Sequence, residues 1–140
     1  MRKSLTVLAV IATASLTLGM CSTPAHAAVL PTVSATVTCN PSGTRGTMWA
    51  QFEYDSAGNR KPRRGGWNGD SKWNVKAINV IGYVGGNGYR DPAITFGSAQ
   101  KNASQYVPAT APVAPRSQVS IGVYLTFTDG TKCAAGFPSN

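Results

Sequence analysis

The chain has 140 residues, thirteen Lys or Arg against five Asp or Glu, and a single histidine, for a formal net charge of +8. That length supports one domain. Five carboxylates and one imidazole leave little for acid–base or metal chemistry, and fifteen glycines with nine prolines speak against long helices.

Arg2 and Lys3 give a short positive start, followed by the apolar run "LTVLAVIATASLTLGM", Pro24 and the tripeptide Ala25-His26-Ala27. A charged start, an apolar stretch and a small-x-small site are the three parts of a secretory signal, so cleavage is expected before Ala28. The run is interrupted by Thr and Ser and is too short, with this flank, for a membrane span. "LGMC" is a rival, a lipoprotein-like box at Cys21, but Met20 stands where a small residue is usual. The "AHA" ending before a Gly/Thr/Ala/Val-rich chain resembles exported proteins of high-GC Gram-positive bacteria, a likeness of composition that implies export and no function.

Cleavage leaves residues 28–140 as one secreted domain with eleven basic and five acidic side chains, no histidine, and two cysteines, Cys39 and Cys133. In an exported chain such a pair is expected to form a disulfide, with two free thiols as the alternative. Closing a loop of about 95 residues is worth roughly 4–5 kcal/mol, less any native strain.

The strands follow in order. "TVSATVTC" alternates Val33, Ala35, Val37 and Cys39 against Ser34, Thr36 and Thr38, a half-buried strand. "TMWAQFEY" sets Met48, Ala50, Phe52 and Tyr54 on one side and Trp49, Gln51 and Glu53 on the other. "SKWNVKAINVIGYV" starts on the phase Trp73, Val75, Ala77 and then changes to Ile78, Val80, which predicts a β-bulge near Ala77. "AITF" is a short strand after Asp91-Pro92. Between Ser98 and Ser117, prolines at 108, 112 and 115 predict an extended edge, with a short strand near Gln105 to Val107.

The last hairpin can be read to its register. "QVSIGVYLTF" puts Val119, Ile121, Val123, Leu125 and Phe127 on one face. A two-residue Asp129-Gly130 turn would drive Lys132 into the core. A three-residue Thr128-Asp129-Gly130 loop with Gly130 left-handed instead pairs Leu125 with Cys133, Val123 with Ala135 and Ile121 with Phe137. The whole predicts an all-β fold, an immunoglobulin-like antiparallel sandwich of about seven short strands with one disulfide, or else a small partly open barrel.

Without histidine, residues 28–140 offer no Ser-His-Asp or Cys-His arrangement and no histidine-ligated metal. Glu53, Asp55, Asp70, Asp91 and Asp129 are the only carboxylates, and Asp55, Asp91 and Asp129 occupy ordinary turn positions. "GGNG" at 85–88 has no helix after it and is no phosphate cradle. The expectation is a protein that is not an enzyme and takes no cofactor or metal.

One stretch stands apart: "GNRKPRRGGWNGDSKWN", residues 58–74. Arg60, Lys61, Arg63 and Arg64 fall in five positions and are expected in a turn, with Gly65-Gly66 mobile behind them. Trp67, flanked by Gly and Asn, is expected exposed; Trp73, in phase with Val75, in the core. Cations interleaved with aromatics suit an anionic polymer, since charge supplies affinity and flat rings stack on bases or sugars. The candidate ligand-binding set is Arg60, Lys61, Arg63, Arg64, Trp67 and Lys72, and the expected partner is a cell-wall polymer, an acidic polysaccharide, a nucleic acid or a lipid surface. A second reading is an inhibitor of an extracellular serine protease presenting the basic loop. A third is an antimicrobial effector, and a plainly solvated basic loop is the bland alternative.

Overall fold

A computed structural model describes residues 32–39, 44–69 and 74–139, with side chains at Thr32 and from residue 46 onward in those ranges. The expected signal segment, Asp70, Lys72, Trp73 and the Cys39 side chain lie outside the described residues. The described chain runs β1 Thr32–Cys39, β2 Thr44–Tyr54, β3 Arg60–Gly69, β4 Val75–Val84, β5 Asn87–Tyr89, β6 Ile94–Gln100, β7 Asn102–Tyr106, β8 Val119–Phe127 and β9 Lys132–Pro138, with one 3-10 turn at Arg116–Gln118. Two antiparallel sheets result, β1-β2-β3-β7 and β5-β4-β8-β9, with β6 also paired to β4. They are not closed into a barrel, so the all-β sandwich stands and the barrel alternative does not. Nine strands replace the expected seven because β5 is only three residues long and β3 carries no alternation that marks it as a strand.

The inner faces bury Met48, Ala50, Phe52 and Trp67 of the first sheet against Val75, Ile78, Val80, Ile121, Val123, Leu125 and Phe127 of the second. β4 slips register between Val75 and Ala77 against both neighbours, the bulge that its phase change predicts. The β8–β9 hairpin has the expected register: Leu125 opposite Cys133, Val123 opposite Ala135, Ile121 opposite Phe137. Gly130 takes φ 86°, Phe127 N–H donates to Thr131 O at 2.8 Å, and Lys132 points to water. Tyr54, expected inward with Phe52, is 59% exposed as the last residue of β2.

One edge of β4 is shared by β6, over Val75–Ile78, and β5, over Gly82–Val84. The backbone between them needs another partner. Gln105 of β7 supplies it from the opposite sheet: its Oε1 accepts from Val80 N–H at 2.7 Å, and its Nε2 donates to Pro92 O at 2.7 Å. Gln105 is 5% exposed, so this buried amide is satisfied at both ends, which is the condition for tolerating it in a core.

Candidate functional site: a cationic face on β2, β3 and β7

The basic run is not in a turn. Arg60, Lys61, Arg63 and Arg64 lie in β3, a strand hydrogen-bonded to β2 on one side and β7 on the other. The turn comes earlier, at 55–59, where Asp55 Oδ1 accepts from Ala57 N–H at 3.0 Å and Asn59 N–H at 2.9 Å. Asp55 Oδ2 takes Asn59 Nδ2 at 3.0 Å. The Asn59 side chain above all, helped by the backbone donors and opposed by burial, holds the Asp55 carboxyl below its ordinary range.

A β-bulge explains why adjacent arginines share a face. Gln51 pairs with Arg64 and Phe52 with Pro62, so Arg63 is the extra residue of β3. Two residues then oppose one, and strict alternation is suspended. Arg63 and Arg64 are both half-buried, while Pro62 and Gly65 on either side are buried. The bulge also accommodates a proline in a strand with partners on both sides.

Each cation has an aromatic or carbonyl partner. The Arg64 guanidinium lies 5.1 Å from the Trp49 ring and 5.5 Å from the Tyr106 ring. Its Nε donates to Gln51 Oε1 at 2.5 Å and its Nη1 to Tyr106 Oη at 3.4 Å. Arg63 stacks on the same Tyr106 ring at 5.3 Å and pairs with Glu53 at 3.2 Å. Arg60 sits 5.3 Å over Tyr54, and Lys61 Nζ donates to Ala109 O at 2.9 Å. A cation–π contact at an exposed site is worth about 0.5–1 kcal/mol, and a surface ion pair about 0–1 kcal/mol. Together they offset the repulsion of four like charges and hold the guanidinium groups in place.

Gly65 and Gly66 are not a mobile hinge. A Cβ on Gly65 would stand 2.7 Å from Val123 Cγ2, and one on Gly66 would stand 2.4 Å from Trp49 Cζ2. One glycine admits the opposing sheet, and the other lets the Trp49 ring lie flat on the outer face. Trp67 is not an exposed ligand either. The residue after the glycine pair returns to the inner face, and Trp67 is fully buried with Phe127 edge-on at 5.5 Å. Of the candidate set, Arg60, Lys61, Arg63 and Arg64 come together; Trp67 drops out, and Lys72 lies outside the described residues.

Tyr106 and Gln51 complete the face. Sequence reasoning missed Tyr106, although Asn102, Ser104 and Tyr106 alternate with buried Ala103 and Gln105 and so point outward. Among the described residues, no three of His, Cys, Asp and Glu are placed to share a metal ion, and no helix is long and apolar enough to cross a membrane. The face offers charge, flat rings and hydrogen-bond donors. No protein-family model, curated protein or solved structure matches the chain, so what the face does has to follow from its own chemistry.

Proposed function

We propose that this is an exported, non-catalytic binding module whose β2–β3–β7 face engages an anionic polymer such as a wall polymer, an acidic polysaccharide or a single-stranded nucleic acid. The observation that carries the reading is Arg64 held between the rings of Trp49 and Tyr106, with Arg63 on the far partner of the same stack. Guanidinium groups fixed in this way lose less side-chain freedom on binding, and rings beside them give sugars or bases a surface to stack on. The protease-inhibitor reading finds no support in the geometry. An inhibitor presents its basic residue on a protruding loop, whereas Arg64 is paired to Gln51 and Tyr106 in mid-sheet.

The same reading includes an immunoglobulin-like arrangement clamped by a Cys39–Cys133 bridge. β1 packs against β9, and Cys133 is half-buried against the core. Alkylation followed by mass measurement tests it: no cysteine of the domain should react until a reductant is added.

Binding is tested by titrating the purified protein with isolated cell wall and single-stranded DNA at two salt concentrations, beside an Arg63→Ser/Arg64→Ser variant. With Arg63 already paired to Glu53, three cations remain unopposed, Arg60, Lys61 and Arg64, so their full engagement of single-strand phosphates gives a log–log salt slope of about −2. The variant should lose most of the affinity. Equal binding by both proteins removes the face from consideration.

A further inference from the structure

The outer face of the second sheet has a groove of about 650 Å³, inside the size range of small-ligand sites, about 300–1,000 Å³. It lies on the opposite side of the sandwich from the Arg63–Arg64 face and does not depend on it. Its floor is low because β4, β8 and β9 place small residues there, among them Ala77 and Ala134. Two tyrosines rise from this floor. Tyr124, 40% exposed, leans over Gly122: a Cβ there would stand 2.9 Å from Tyr124 Cε2. One side of the ring is thereby fixed against the sheet. The Tyr83 hydroxyl lies 3.1 Å from that of Tyr124.

The polar groups define what would fit. Arg90 and Lys132 line the groove, and among the described residues no Asp or Glu does. The one ion pair among the described residues, Arg63 with Glu53, is elsewhere. Asn79 is in the wall, its Oδ1 buried and without a partner among the described residues, which leaves the Nδ2 end of the amide to face the groove. The hydrogen bond to Tyr124, then burial, pushes the Tyr83 hydroxyl up from its ordinary value, with Arg90 pulling weakly the other way. The Tyr83 phenol therefore stays protonated at neutral pH and keeps its hydrogen-bonding capacity. A fixed ring flank and apolar floor suit the C–H face of a sugar, the amide and two hydroxyls suit its hydroxyl groups, and two unopposed cations call for a carboxylate.

We propose that this groove is a second binding site, specific for a carboxylated saccharide, with Tyr124 as the stacking platform, Asn79 and the tyrosine hydroxyls as hydroxyl partners, and Arg90 beside the β5 edge and Lys132 on the β9 edge each available to a carboxylate of successive sugars. Charge complementarity selects an acidic sugar over a neutral one, and the short, ring-flanked groove selects a saccharide over a flat protein surface.

The probe is an oligogalacturonate, with the neutral galactose oligomer, a sulfated dextran oligomer and an oligonucleotide beside it, read by amide chemical shifts of the full chain. Oligogalacturonate should move the amides of Asn79, Tyr124 and Ala134. Tyr124→Ala and Arg90→Ser/Lys132→Ser should each weaken it about tenfold or more. Tyr124→Phe, which keeps the ring and drops its hydroxyl, should lose less, and Arg63→Ser/Arg64→Ser should leave the shifts at these three amides unchanged whatever it loses on the β2–β3–β7 face. Unperturbed spectra of the variants away from the groove show that they fold. The proposal is overturned by no shift at these amides, or by equal affinity for the neutral or sulfated oligomer. Tighter binding of the oligonucleotide there, or loss in the Arg63/Arg64 variant with retention in Tyr124→Ala, overturns it equally.

Discussion

Strands β3 and β8 face each other across the middle of the core, and their sequences have almost nothing in common. β8 reads "VSIGVYLTF" and buries Val119, Ile121, Val123, Leu125 and Phe127. β3 reads "RKPRRGGWNG" and has only Pro62, Gly65 and Trp67 for the interior. The two are complementary in volume. Val123 occupies the space that Gly65 leaves empty, and Pro62 of β3 packs where Gly82 of β4 has no side chain, a Cβ there standing 2.7 Å from Pro62 Cγ. An interior is filled to a fixed density by whichever strand brings the atoms. A strand can therefore be central to a core and contribute few of its side chains.

The strongest way to break this comparison is Trp67→Ala. If β3 is a core strand, removing its one large buried side chain costs about 3–5 kcal/mol in urea unfolding; a loss under about 1 kcal/mol would return Trp67 to the surface. Gly65→Ala tests volume sharing directly. Alone it overpacks the site and costs about 1–3 kcal/mol, and combined with Val123→Ala the pair should cost clearly less than the sum of the two single changes. Strict additivity would deny the contact.

Gln105→Leu sharpens the account of how the sheets are joined. It deprives Val80 N–H and Pro92 O of their partner, at about 1–3 kcal/mol for buried groups left unsatisfied. Hydrogen exchange should accelerate first at Val80. The smallest effect separates the two hairpin loops. Because the folded Asp55 carboxyl titrates below its ordinary 3.8, its contribution is complete above that value and fades as the pH falls through the lower folded one. Carboxyl shifts followed by NMR should show this, and Asp55→Asn should abolish it. Asp129 caps the other loop through Thr131 N–H at 2.8 Å.

The β8–β9 hairpin was legible to the residue because unbroken alternation leaves a single register that hides every apolar side chain, and Gly130 marks where the turn must be left-handed. The β4 bulge was legible for a related reason, since a phase change in alternation has few other causes. In β3 three signals failed together. Glycines have no hydrophobicity to alternate, a bulge doubled the outward positions, and a proline argued for an exposed segment. Four cations in five residues then looked like a turn. Recognising the candidate face needed Tyr106, which is forty-two residues away from Arg64 in the chain and meets it only because the chain leaves the second sheet after β6 and β7 docks on β3.

By itself, then, the sequence determined the all-β class, the last hairpin with its register, and the cationic character of residues 60–64, because each depends on neighbours within a few residues or on a repeat of two. Tertiary structure alone decided that these cations form part of a sheet face, that Trp67 is buried and Trp49 lies flat, and that Gln105 completes a strand edge in the opposite sheet. Those outcomes depend on which surfaces meet at a distance, and the shape complementarity that selects them is a property of pairs of strands.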